Sequence, residues 1–276
     1  MRVLGHLAVL LLMASAALAQ TTHTVQGGGN ALQTALASAT PGDRLLVQAG
    51  DYSPATCSIG VDLDLQPGAN VQSGLTQVAL RIANLPAGQT LRVLGGRVAG
   101  IAIQQCAGTV VVHDTVFDTQ VVPWQFTQNT GPVMFHGATG ATPSTVAIGS
   151  LDIDGCAQVS FTGCVLPQLR VSQSRVSLSQ SAVRPMQGNG VAGLQVLSGD
   201  VTVVGGTLNG NFLFSFPIPT TAVRVDGGTF TATGGTLLDR APFLTQPAHA
   251  LEVHGGTVRL DPSVVVRGTP PIAGTG

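Results

Sequence analysis

The sequence predicts an all-β chain wound as a right-handed parallel β-helix, a solenoid, with a short N-terminal capping helix. The first observation is composition: 36 Gly and only 9% charged residues among 276, with Thr, Ser and Val abundant and little helix-favouring sequence after residue 40. The second is a template that recurs from Ile101, Leu151, Leu169, Leu194, Val223 and Leu251. Each copy has two apolar residues one apart, a short turn, two more apolar residues one apart, another turn and an apolar tail, as in V-R-V-D-G-G-T-F-T-A-T-G-G-T-L-L from Val223 to Leu238. The third is unit length. Each copy alternates like a strand with one buried face, yet is too short to bury that face alone or to form a four-stranded blade, so copies must stack as rungs of parallel strands. Parallel crossovers favour the right-handed coil.

Taken in order, residues 1–19 read as a secretory signal peptide, with an apolar run from Leu7 to Met13 and the small-residue pattern Ala17-Leu18-Ala19. That run is too short for a permanent membrane anchor, so no membrane insertion is expected and the mature chain is placed outside the cell or in the periplasm. Residues 20–276 form one domain. Within 30–43, Asn30 is the expected N-cap of a helix whose Leu32, Leu36 and Ala39 share a face, and Pro41-Gly42-Asp43 breaks it into a strand. Rungs then run over about 45–266, followed by a tail over 267–276.

The interval between the copies at Ile101 and Leu151 is about twice the others, which leaves room between Phe117 and Ser150 for one extra turn or a long insertion. Two residues after the second apolar pair every copy has a small residue, here Thr115, Cys164, Ser181, Gly206, Gly235 and Ser263, as a tight corner requires. The outward column Ala102, Asp152, Arg170, Gln195, Arg224, Glu252 predicts ion pairs Asp152–Arg170 and Arg224–Glu252 between adjacent rungs.

The start of the chain resembles the N-terminal cap and first rung of secreted pectate-lyase-like right-handed β-helix proteins. The residues that carry the likeness are Ala31 to Ala39, Pro41-Gly42-Asp43, Leu45 to Val47 and Gly50-Asp51-Tyr52, and with the later repeats it spans roughly residues 23–266. The resemblance implies that architecture and a carbohydrate context. Relatives of that kind cleave acidic polysaccharides with an Arg or Lys base and calcium-binding acids, or hydrolyse glycosidic bonds with clustered Asp residues.

Neither catalytic set is visible here. The residues nearest to a catalytic set are Asp152 and Asp154, two apart on one strand face, with Asp114 and His136 beside the long segment from Phe117 to Ser150. No metal-ligand spacing links His113, His136, His249 and His254, so no metal site is expected, and no cofactor either, calcium entering only if the chain is an enzyme. The chain holds 12 basic and 13 acidic residues with no basic run, which argues against nucleic acid as a partner.

The aromatic residues point to binding: Trp124, Phe126, Phe212, Phe214 and Phe216 fall in connections between rungs, where a shared surface would bind a polysaccharide or an extracellular protein. The competing expectation is that these aromatics bury themselves against the wall of the coil. Cys106 and Cys156 occupy the same template position, which predicts a disulfide if their rungs touch and none if a rung intervenes. The leading expectation is therefore a secreted, non-catalytic scaffold. A polysaccharide lyase or glycoside hydrolase of the same fold is the second. The third is a self-assembling surface module that associates through its C-terminal rung around Val264-Val265-Val266, with Pro270 and Pro271 opposing strand addition.

Overall fold

The chain is a parallel β-helix with one short helix at its N-terminal end. The computed structural model describes residues 20–73, 78–117, 124–140, 150–184, 192–210, 221–239, 249–268 and 271–274; the signal-peptide segment lies outside them. Two all-parallel sheets form the walls, a broad one of 17 strands and a narrow one of 10. In each rung a strand of the narrow sheet turns a corner into the broad sheet, which folds over a second corner before the next rung begins. One complete rung illustrates this: Ser150–Asp154 in the narrow sheet, then Val159–Thr162 and Val165–Leu166 in the broad sheet.

Alternation fixes what each strand buries. Leu151 and Ile153 point inward at 0% and 1% exposure, while Asp152 and Asp154 between and after them point outward. The same inward columns supply a continuous core from Val25 to Leu251. At the N-terminal end the helix Ala31–Ser38 buries Leu32 and Leu36 against it. Asn30 stands at the cap position, but its side chain makes no capping bond; its carbonyl instead accepts from Thr34 N at 3.0 Å and Thr34 Oγ1 at 3.1 Å. The Pro41-Gly42-Asp43 break is held by Asp43, whose Oδ2 accepts from Thr40 N at 2.7 Å and Thr40 Oγ1 at 2.9 Å. Those bonds, the backbone N–H first, hold the Asp43 carboxyl below the usual carboxylate range.

The interval between Phe117 and Ser150 contains one further rung. Trp124–Thr127 sits in the narrow sheet between Ile101–Gln104 and Ser150–Asp154, and Val133–His136 with Thr139–Gly140 continues it in the broad sheet. This rung corrects two expectations. Trp124 and Phe126 are not binding-surface residues: they are 2% and 0% exposed, with Gln125 between them facing solvent. Phe126, Phe135 and Phe161 cluster in the interior, with ring centroids 5.3 Å apart from Phe135 to each of the others and 6.5 Å between Phe126 and Phe161, and Phe117 packs on Trp124 at 4.4 Å. Phe212, Phe214 and Phe216 lie outside the described residues.

The rung also separates Cys106 from Cys156. Two rung spacings of ~4.8 Å put their backbones about 9.6 Å apart, beyond the ~7 Å reach of a disulfide. Asn129 occupies the corner between them, and all four cysteines are free and buried. Burial pushes all four thiols up, Cys57 to about 11. At pH 8 an alkylating reagent should therefore label none of the 4 Cys in the folded chain and all of them after unfolding without reductant. A shortfall on unfolding, measured by intact mass, would mean that a disulfide exists.

The second corner is also corrected. Ser181 does lie beside Gly206, but the next residues in that column are Thr236 and Val264, because Leu237 pairs with Thr207 and Val265 with Leu237. Val204 pairs with Thr233, so the turn Gly234-Gly235-Thr236 carries one residue more than Gly205-Gly206. That insertion moves Gly235 and Ser263 out of the column.

Candidate functional site

Three groups of polar residues stand on the outer walls, one on the narrow sheet and two on the broad sheet, where the second adjoins the third at His136. The first is Asp152 with Asp154 on the narrow sheet. They project from the same face two residues apart, about 6.6 Å along the strand. Asp152 lies in register between Gln125 and Arg170, and burial pushes its carboxyl up while the Arg170 charge opposes that shift. Asp154 is exposed, between Thr127 and Ser172. Farther along the same wall Arg224 and Glu252 are register neighbours, as expected, but do not bond each other as predicted. Arg224 Nε donates to Asp226 Oδ1 at 2.7 Å, Gln195 Nε2 donates to Asp226 Oδ2 at 2.7 Å, and Glu252 Oε1 accepts from Thr221 Oγ1 at 2.7 Å. Arg224 thus pairs with a carboxylate two residues along its own chain, which Gln195 also holds in place, instead of reaching Glu252 on the next rung.

The second group is on the broad sheet. His113 and His136 end the strands Thr109–His113 and Val133–His136 and are register partners. Their inward neighbours Val112 and Phe135 are fully buried, so both imidazoles face out, with ring centroids 5.9 Å apart. Asp114 adopts a left-handed backbone at φ 49°, donates its N–H to His136 O at 2.9 Å, and places Oδ2 2.8 Å from His113 Nδ1. Two of the four acid–base candidates, Asp114 and His136, are thus brought together, with His113 as an added member. Asp152 and Asp154 stand on the other sheet, across a corner.

The third group has its sequence signal in the outward positions of V-S-F-T, V-S-L-S, V-T-V-V and F-T-A-T, a pattern of alternate hydroxyls that reading for charge and aromatics passes over. On the broad sheet two outward columns run in register: Met134, Ser160, Ser177, Thr202, Thr231 and His136, Thr162, Ser179, Val204, Thr233. Among the described residues none of these seven hydroxyls bonds a protein group. The corner hydroxyls behave differently. Ser174 Oγ accepts from Cys156 N at 2.9 Å, and Ser181 Oγ accepts from Cys164 N at 3.1 Å and lies 3.2 Å from the Phe161 carbonyl it can donate to. The wall's character changes along its axis, since toward the N-terminal end the column of Met134 runs through Arg44, Asp62 and Arg92, where Arg92 Nη1 meets Asp62 Oδ1 at 3.0 Å.

Among the described residues, hollows of about 310 and 250 Å³ lie toward the two ends of the coil. The first is lined by Asp62, Gln89 and Arg92, whose polar groups are engaged with each other or with Gly60 N; the second by Glu252 and His254, 3.5 Å apart. No family model matches this chain. No curated protein and no solved structure matches it either. No helix among the described residues is long and apolar enough to cross a membrane.

Proposed function

We propose that the chain is a secreted, non-catalytic β-helix scaffold that binds glycan along the outer face of its broad sheet. The observation that carries this reading is the in-register array of seven hydroxyls with no protein partner. Each can donate and accept, and rungs ~4.8 Å apart present them at a constant repeat to an extended polymer of hydroxyls. A single such bond contributes only about 0.5–1.5 kcal/mol net, so affinity would come from many rungs acting on one chain. The separation of Asp152 and Asp154 from Asp114 and His136 supports the absence of catalysis, because acid and base must reach one bond. A resemblance to pectate-lyase-like proteins supports carbohydrate by analogy alone.

One observation favours a second reading, a glycoside hydrolase or polysaccharide lyase. Asp152 has its carboxyl raised by burial beside an exposed Asp154, the asymmetry an acid and base need. A panel of acidic and neutral polysaccharides, with and without calcium, separates the two when retention on polymer and fragment release are followed together. Retention without fragments, lost in a Ser177→Glu, Thr202→Glu double variant, is the expected result. Fragments that vanish in Asp152→Asn would make the protein an enzyme. Retention unchanged in the double variant would move binding to other surfaces, the inter-rung segment of Phe212, Phe214 and Phe216 first. No retention on any polymer would overturn glycan binding.

A further inference from the structure

We propose that His113 and His136, with Asp114 behind His113, form a binding site for a divalent first-row transition cation such as Zn²⁺, Ni²⁺ or Cu²⁺. The inference is independent of glycan binding.

Three features of the geometry converge on it. First, the two imidazoles are register partners on adjacent parallel strands, both outward. A cation held at about 2.1 Å by a ring nitrogen lies about 3.2 Å from that ring's centre, so two rings on one cation have centroids no more than about 6.4 Å apart. The observed 5.9 Å is inside that limit, and side-chain rotation alone can close the angle between the rings. Second, Asp114 Oδ2 lies 2.8 Å from His113 Nδ1. A carboxylate that accepts the Nδ1 proton fixes the tautomer and leaves the Nε2 lone pair free, the arrangement commonly found behind metal-bound histidines. Third, the backbone makes room for that carboxylate: residue 137, next to His136, is Gly, and a Cβ there would collide with Asp114 Oδ1. Gly137 also sits at φ 61°, which any other residue would hold at a cost.

The surroundings do not repel a cation. The column through the pair reads Leu94, His113, His136, Thr162, and the neighbouring outward column places Val111 beside Met134. Among the described residues no three His, Cys, Asp or Glu side chains converge as a metal cluster. The site is therefore a two-imidazole chelate, with water in the remaining positions. Imidazole ligands select transition cations over calcium or magnesium, which prefer oxygen. Because the ligands come from successive rungs, binding would also clasp those rungs together and stabilise the folded chain.

The test is calorimetric titration of the whole chain, freed of metal with a chelator, with ZnCl₂ or NiCl₂ alone, alongside thermal melts with and without the salt. One equivalent should bind, with the melting temperature rising as cation is added. His113→Ala and His136→Ala, both surface changes, should each abolish uptake while leaving the metal-free melt unaltered, and Asp114→Asn should weaken binding roughly tenfold. His254→Ala should leave the isotherm unchanged. No uptake by the wild-type chain, or the same isotherm after His113→Ala or His136→Ala, would overturn the site. An unchanged isotherm in Asp114→Asn would overturn the role given to the carboxylate.

Discussion

Phe135→Ala should lower the stability of the chain by about 3–5 kcal/mol, measured as a shift in the midpoint of equilibrium unfolding. Phe135 is fully buried and packs 5.3 Å from Phe126 of its own rung and 5.3 Å from Phe161 of the next. Truncation removes a contact within the rung and one to the next rung at once, and opens a cavity that cannot collapse, because the spacing of the walls is set by backbone hydrogen bonds. Stability in a solenoid is a sum over rungs and their interfaces, so the loss should be felt by the rungs containing Ile103, Phe126 and Phe161 together. Phe135→Leu keeps an apolar plug and should lose less than about half as much. An unchanged midpoint in the Ala variant would show that the ring does not hold this interface.

Asn129→Ala should be nearly as damaging, by about 2–4 kcal/mol, although it removes no apolar surface. Asn129 is fully buried at the first corner, where Oδ1 accepts from Cys106 N at 2.9 Å and Nδ2 donates to Ile103 O at 2.9 Å. Alanine would strand a buried donor and a buried acceptor of the preceding rung, each costing about 1–3 kcal/mol. The equivalent corner two rungs on carries Ser174, whose Oγ accepts from Cys156 N at 2.9 Å. Asn129→Ser should therefore recover the bond to Cys106 N and lose clearly less than Asn129→Ala. Equal losses for Ser and Ala in parallel unfolding curves would show that this bond contributes nothing.

Much of the architecture was legible because it is written at short range. Alternation of Leu151, Asp152, Ile153 and Asp154 assigns the wall and its inner face without any knowledge of neighbours, and the helix Ala31–Ser38 follows from the spacing of Leu32 and Leu36. The rung from Trp124 to Gly140 was harder to see. Its corner is Gln128-Asn129-Thr130-Gly131, and both inward residues of its first strand, Trp124 and Phe126, are aromatic where the other copies place Leu, Ile or Val. Aromatics next to an irregular segment read as a binding surface until the strand Trp124–Thr127 is seen to pair on both edges. The hydroxyl array was present in the letters, but a Ser between two apolar residues has no distinct meaning until its neighbours above and below are known.

The sequence by itself determined that the chain is built of stacked strand repeats and which residues of most rungs face inward, since these depend on residues one to four apart. Only the tertiary structure decided which rung lies on which. That choice separates Cys106 from Cys156 with Asn129, shifts Thr236 into the place expected for Gly235, and sets His136 against His113. The physical reason is that contacts between rungs join residues a full turn of chain apart. Their partners are set by the lengths of the segments between, and one residue more or fewer in a turn changes every neighbour beyond it.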